Sequence, residues 1–122
     1  MSTDGVSRDT MDQMRKGTTT LAILKLLVDV DEPMHGYRMI QELEERSRGI
    51  FDFNEGLIYP RLHLMEHEGM LRSRWVGEPG TRRRKVYVVT DRGRRQLEAE
   101  LEQWVTFRRG MRLILGLKQA PT

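Results

Sequence analysis

The chain has 122 residues, enough for one hydrophobic core and one domain, and 38% of them are hydrophobic and 32% charged. It holds no cysteine, which excludes a disulfide framework and a thiolate metal site and fits a cytoplasmic protein; no apolar run is long enough to cross a membrane, and the first five residues lack a secretory pattern. The net charge is only +3, yet residues 82–95 carry seven basic side chains against Asp91 alone, while the other 14 basic residues face 17 acids, so one short segment is either a footprint for a polyanion or a solvated loop.

Residues 1–10 are polar and aperiodic, as expected of a flexible terminus. From Met11 the stripe Met14, Gly17, Leu21, Leu24 and Val28 predicts an amphipathic helix. It stops before Asp31-Glu32-Pro33, a connector, because the residue ahead of a proline is pushed out of the helical region. Gly36, Ile40, Leu43 and Ser47 predict a second, shorter helix ended by Arg48-Gly49. Asn54 is an N-cap for a third helix whose core stripe is Ile58, Leu62 and Met65, with Gly69 just past its end. Pro60 removes one hydrogen bond from that helix, so a bend or local widening is expected there.

The period then changes. Residues 71–76 alternate, Gly77-Glu78-Pro79-Gly80 reads as a turn, and residues 85–90 are rich in β-branched side chains, which together predict a β-hairpin. Asp91, or alternatively Thr90, caps a long helix with the stripe Leu97, Leu101, Trp104, Phe107, Met111 and Ile114. The expected fold is mainly α with a small β-hairpin, an α+β class. Three helices followed by a hairpin is the winged helix-turn-helix plan, expected over residues 11–90. Residues 91–116 are expected to be a dimerisation helix, and residues 117–122 a flexible tail. Placement of the arginines at the tip and second strand of the hairpin favours DNA over a solvated loop.

One motif points elsewhere. "HLMEH" at positions 63–67 reads as H-x-x-E-H, the signature of a small class of zinc peptidases. With Ile58, Leu62 and Met65 facing the core, His63 falls on the outward face and His67 one turn beyond it. A peptidase needs a third ligand and a substrate cleft, and a domain of this size has no second lobe to form one. The expectation is therefore no catalytic residue, no metal, no cofactor and no enzymatic activity. An adventitious metal site and ordinary polarity of an exposed helix face remain the alternatives.

Three blocks, "PMHGYRMIQELEER", "GLIYPRLHLMEHEGML" and "RRRKVYVVTDRGRRQLEAEL", resemble the PadR family of bacterial transcriptional regulators. Members of that family begin helix two with H-G-Y, the recognition helix with G-T-L-Y-P, and carry R-K-Y-Y-x-L-T-x-x-G on the wing strand. The likeness covers roughly residues 14–104, and the single C-terminal helix with "LEQW" resembles the smaller subgroup. Leu57, Arg61, Leu64 and Val86 depart from the family pattern, which touches the operator sequence and not the fold.

The resemblance implies a homodimeric repressor acting on a near-palindromic operator in double-stranded DNA at the bacterial nucleoid. At the start of the third helix, Asn54, Glu55, Gly56, Tyr59 and Arg61 are candidates for the major groove, with His63 peripheral. Arg61 is a candidate for bidentate contact with guanine or, failing that, a phosphate contact or surface ion pair; Tyr59 is either a DNA contact or a hinge tyrosine. Arg82, Arg83, Arg84 and Lys85 are expected on phosphates, and Tyr37 either donates to a phosphate or packs. Trp104, with Leu101 and Phe107, is either dimer core or, by resemblance, the slot for a planar aromatic effector. A winged protein-interaction module that reads no DNA sequence is the alternative from another class.

Overall fold

The computed structural model describes residues 8–117, with side chains from residue 17. The elements in order are α1 (Arg8–Val30), β1 (Met34–His35), α2 (Gly36–Arg46), α3 (Glu55–His67), β2 (Leu71–Val76), β3 (Arg84–Val89) and α4 (Asp91–Leu115). Most of the expected flexible terminus and tail, residues 1–7 and 118–122, lies outside the described residues. α1 begins at Arg8, three residues before Met11.

Helix ends follow the local chemistry. Asn54 Oδ1 accepts the Leu57 amide at 3.0 Å and starts α3. Gly69 takes the left-handed φ of 82° and stops it. Thr90, the alternative to Asp91 as the expected cap, starts α4: its hydroxyl accepts the Gly93 amide at 3.0 Å and donates to the Gly69 carbonyl at 2.6 Å. One threonine thus ties the end of α3 to the beginning of α4.

The expected hairpin is one part of a three-stranded antiparallel sheet in the order β1-β3-β2. β2 and β3 pair from Leu71↔Val89 to Val76↔Arg84. Directly after the expected connector Asp31-Glu32-Pro33 comes a strand that was not expected, β1, which pairs Met34 with Tyr87 and His35 with Val86 on the other edge of β3. A two-residue strand has no room for alternation, so its existence depends on a partner some fifty residues away.

Ile58, Leu62 and Met65 of α3 are fully buried, as the stripe predicts. They pack with Met39 and Leu43 of α2, Leu71 and Tyr87 of the sheet, and Leu97 of α4. Complete burial of such an aliphatic side chain is worth about 1.5–3 kcal/mol. The α1 stripe is rotated from expectation. Its buried face is Thr19, Thr20, Ile23, Leu24, Leu26 and Leu27, with Leu21 and Val28 at the margin and Gly17 exposed. Met14 lies outside the residues with described side chains.

Two glycines are demanded by close packing. A Cβ on Gly93 would run into the Met70 carbonyl and the Val89 side chain, so only glycine lets α4 leave the sheet so tightly. A Cβ on Gly36 would stand 2.6 Å from Tyr59 Cε1, so the tyrosine ring of α3 lies directly on the α2 backbone. The H-G-Y and Y-P blocks are therefore two halves of one contact.

Candidate nucleic-acid interface

α3 presents two different flanks. Successive residues turn by about 100°, which places Arg61 roughly 200° from Tyr59. Tyr59 and His63, with Glu55 on the first turn, edge a cleft of about 660 Å³ between α3, the start of α2 and the wing. Its other walls are Tyr37, Trp75 and Tyr87 with the basic side chains Arg82, Arg83, Arg84 and Lys85. Tyr37 and Trp75 are more than half exposed, whereas Tyr87 is buried, which raises its phenol pKa.

Wing and helix are tied together at one side of this cleft. The Ser73 hydroxyl of β2 donates to Glu66 Oε2, and Lys85 Nζ of β3 stands 3.4 Å from Glu66 Oε1. These contacts, the Ser73 bond first, hold the Glu66 carboxyl below its usual range. Glu66, the central carboxylate of the H-x-x-E-H motif, is thus committed to fixing the wing. His63 and His67 are exposed on α3, and among the described residues no group of three or more His, Asp or Glu side chains gathers in metal-binding geometry.

The other flank carries Arg61. It faces a smaller pocket of about 250 Å³ between α1, α3 and α4, lined also by Thr20, Glu68, Arg92, Gln96 and Glu100. Gln96 Nε2 donates to Glu100 Oε1 at 3.3 Å, and Glu100 Oε2 is buried with no hydrogen-bond partner among the described residues. Burial raises the Glu100 pKa, partly opposed by Gln96 and by the charge of Arg61.

The expected site residues therefore separate. Tyr37, Glu55, Tyr59, His63, Arg82, Arg83, Arg84 and Lys85 share the cleft, and Arg61 does not. The Asn54 side chain is occupied as helix cap and Gly56 is exposed on α3. Lys85 is half-buried on Glu66 and lies 5.6 Å from the Tyr87 ring centre, unlike the three exposed arginines beside it. His35 and Trp75 belong to the cleft and were not expected there. For Trp75 the signal was its place in the alternating strand: its neighbours at i±2 share its face, and Ser73 reaches Glu66.

The basic segment also divides. Arg94 of α4 pairs with Asp31 at 3.0 Å and Arg92 lines the Arg61 pocket, so only residues 82–85 contribute to the cleft. Its electrostatics are positive all the same, with Glu55 at one rim and Glu66 bound by Ser73 and Lys85.

Farther along α4, Trp104 and Phe107 stack with ring centres 6.3 Å apart and planes inclined by 26°. They edge an open hollow of about 370 Å³ with Gly17, Thr18, Leu21, Glu100 and Gln103. Leu101 turns inward onto the core. Beyond it α4 is uncovered: Phe107 is 62% exposed, Leu113 76% and Ile114 78%.

A cleft bounded by a recognition-type helix and a basic wing suits a polyanionic rod, and solved structures share the fold that builds it. A PadR family transcriptional regulator from Eggerthella lenta is 29% identical, with a TM-score of 0.72 over 84% of this chain and 86% of its own. A PadR-like transcriptional regulator from Bacillus cereus is 27% identical, with a TM-score of 0.69 over 87% and 99%. A PadR family regulator from Clostridium difficile is 26% identical, with a TM-score of 0.66 over 80% and 97%. Residues 23–99, from the core face of α1 through the wing to the first turns of α4, match the transcriptional regulator PadR-like family, and the chain belongs to that family of DNA-binding regulators.

Proposed function

We propose that this chain is a homodimeric, sequence-specific transcriptional repressor without enzymatic activity, whose winged unit at residues 11–90 reads a near-palindromic operator. The observation that carries the reading is the cleft between α3 and the wing, where three exposed arginines stand opposite Tyr59 and His63. Arg82, Arg83 and Arg84 bind phosphates, and Gly56, His63 and Glu55 approach the major groove. Tyr37 and Tyr59, on the cleft wall, contact the sugar-phosphate backbone. Asn54 acts through its cap, and Lys85 through its hold on Glu66. Contact between Arg61 and a base would require a different arrangement of its flank.

Dimerisation is supported by the apolar surface of α4 between Trp104 and Leu117, too extended to be left in water on one copy. A twofold axis beside residues 91–116 buries it against the same helix of a second copy and matches a palindromic operator. Trp104 and Phe107 then lie at that seam, where a planar aromatic effector stacked on them changes the spacing of the two recognition helices. A tenfold release requires a coupling of only about 1.4 kcal/mol.

Gel shifts with genomic fragments, including DNA upstream of the chain's own gene, test this reading. The expected result is a saturable complex of two copies on one fragment, resistant to excess unrelated duplex. Equal affinity for every duplex, or none for any, would sink it. A screen of planar aromatic compounds, read by Trp104 fluorescence in a Trp75→Phe background, tests the effector. Saturable quenching that also weakens the gel shift is expected.

A further inference from the structure

His35 makes two contacts that a neutral imidazole cannot accept together. Its Nδ1 lies 3.1 Å from the Arg38 amide and caps α2. Its Nε2 lies 2.9 Å from Arg84 Nη1 on β3. A neutral imidazole has one unprotonated nitrogen, while the amide and the guanidinium are both donors. The Arg38 N–H is fixed by the helix backbone, whereas Arg84 sits at the end of a long, exposed side chain. The lone pair therefore stays on Nδ1, and Nε2 carries the hydrogen. That leaves two N–H groups, one of them cationic, directed into the same space at the edge of the cleft.

Protonation offers no relief. It would remove the Nδ1 acceptor and break the cap, and burial, with the charges of Arg84 and Arg38, already holds the ring below its usual pKa. The groups facing His35 are Arg38 on α2, Arg84 on β3 and, across the cleft, Glu55, Tyr59 and His63 of α3 with Lys85 and Tyr87 of β3; Glu32 is bound by Arg38. Apart from the contact between them, neither Nε2 nor the Arg84 guanidinium has a hydrogen-bond or ion-pair partner among the described residues, Glu55 included. An oxyanion seated there would accept from both, and the adjoining cleft of about 660 Å³ is open to solvent.

We infer that His35 Nε2–H and the Arg84 guanidinium together form a subsite for one phosphodiester group of the DNA backbone, held by a neutral and a cationic donor. This rests on the DNA-binding reading above. The neighbouring Arg82 and Arg83 extend positive charge along the wing, which favours a strand of linked phosphates over a single small anion.

The test uses the full chain and a mixed-sequence duplex, because a phosphate contact is independent of sequence. Asparagine is a good N-cap, so His35→Asn keeps the acceptor for the Arg38 amide and loses only the distant donor. The variant is expected to unfold at the wild-type urea midpoint and to bind the duplex about tenfold more weakly, which corresponds to about 1.4 kcal/mol. Its dependence of log K on log salt should equal that of wild type, because the lost donor is neutral, whereas Arg84→Ala should flatten the slope by about 0.9. The double variant should lose less than the product of the two single losses, as expected for groups sharing one phosphate. Nitrogen-15 spectra of the ring should show the Nε2–H form with and without DNA.

Wild-type duplex affinity in a folded His35→Asn protein, strictly multiplicative losses, or the Nδ1–H form would each overturn the subsite. So would saturation of the His35 ring shifts by inorganic phosphate alone at low millimolar concentration, which would mark a free-anion pocket. If Arg84→Ala and removal of all three wing arginines also leave duplex binding intact, the wing lies outside the interface; if the wild-type chain binds no duplex, the DNA reading itself fails. A silent His35→Asn beside a sensitive wing defeats only this inference.

Discussion

The two flanks of α3 have nearly the same raw materials and opposite fates. On one, Tyr59, His63 and Glu66 meet the wing, and Glu66 is satisfied by Ser73 and Lys85. On the other, Arg61 and Glu68 meet Arg92, Gln96 and Glu100, and one carboxylate oxygen of Glu100 stays without a partner among the described residues. Charge alone therefore does not place a basic residue of α3 beside the wing cleft. Its angle around the helix decides, and Arg61 is turned toward α1 and α4, the side that carries the unpaired apolar surface. The wing-facing flank is built to hold a fixed shape; the α4-facing flank joins the reading helix to the proposed dimer helix through a pocket with slack in it.

Each flank rests on a glycine, and replacing these separates the two most sharply. Gly93→Ala is expected to destabilise the protein by about 3 kcal/mol, because the new methyl meets a backbone carbonyl that cannot step aside. Gly36→Ala presses on the Tyr59 ring, which can shift, so a loss of about 1–2 kcal/mol is expected together with weakened DNA binding. Urea midpoints and gel shifts measure both. Equal stability losses would mean that the Tyr59 contact is as rigid as the turn into α4.

Removing Arg82, Arg83 and Arg84 together should weaken binding to specific and unrelated duplexes alike, by about a hundredfold or about 2.7 kcal/mol at moderate salt. The log K against log salt slope should flatten by about 0.9 for each phosphate that the wing no longer neutralises. An unchanged slope would take the wing out of the interface.

Arg61→Ala sharpens the comparison from the other side. It should leave the salt slope unaltered and duplex affinity within about threefold, since Arg61 lines the α4-facing pocket and not the cleft. A slope change like that of a wing arginine would mean that this flank also reaches DNA.

How much of this was legible in the sequence depends on where the deciding information lies. The α3 stripe could be read because Ile58, Leu62 and Met65 are apolar, regularly spaced and bounded by Asn54 and Gly69. The α1 stripe came out rotated because its buried face includes Thr19 and Thr20, which hydrophobic periodicity does not count, and because Gly17 fits the spacing from an exposed position. Strand β1 and the part played by His35 are products of long-range pairing with β3. Arg61 carries a different lesson. Position near the start of a recognition helix favours base contact, but its angle from Tyr59 puts it across the helix, an inference available from spacing alone.

The smallest expected effect belongs to Glu100, and it tests whether the α4-facing flank carries the slack ascribed to it. Burial raises the Glu100 pKa in the folded chain, so the folded state binds the proton more tightly than the unfolded one. The stabilisation this contributes is full below the unfolded pKa and is lost as pH rises through the raised folded value. Wild-type stability should therefore decline modestly from acidic toward neutral pH through this group. Glu100→Gln, which has no charge to desolvate, should remove that part of the pH dependence, making the variant relatively more stable at neutral pH and no better at the acid end. Arg61→Ala should enlarge the wild-type decline, because the arginine partly offsets the burial of the carboxylate. Urea unfolding of the three proteins across that range reads the effect. Parallel profiles would mean that the carboxylate is well solvated in solution, and that the two flanks of α3 differ in shape without differing in strain.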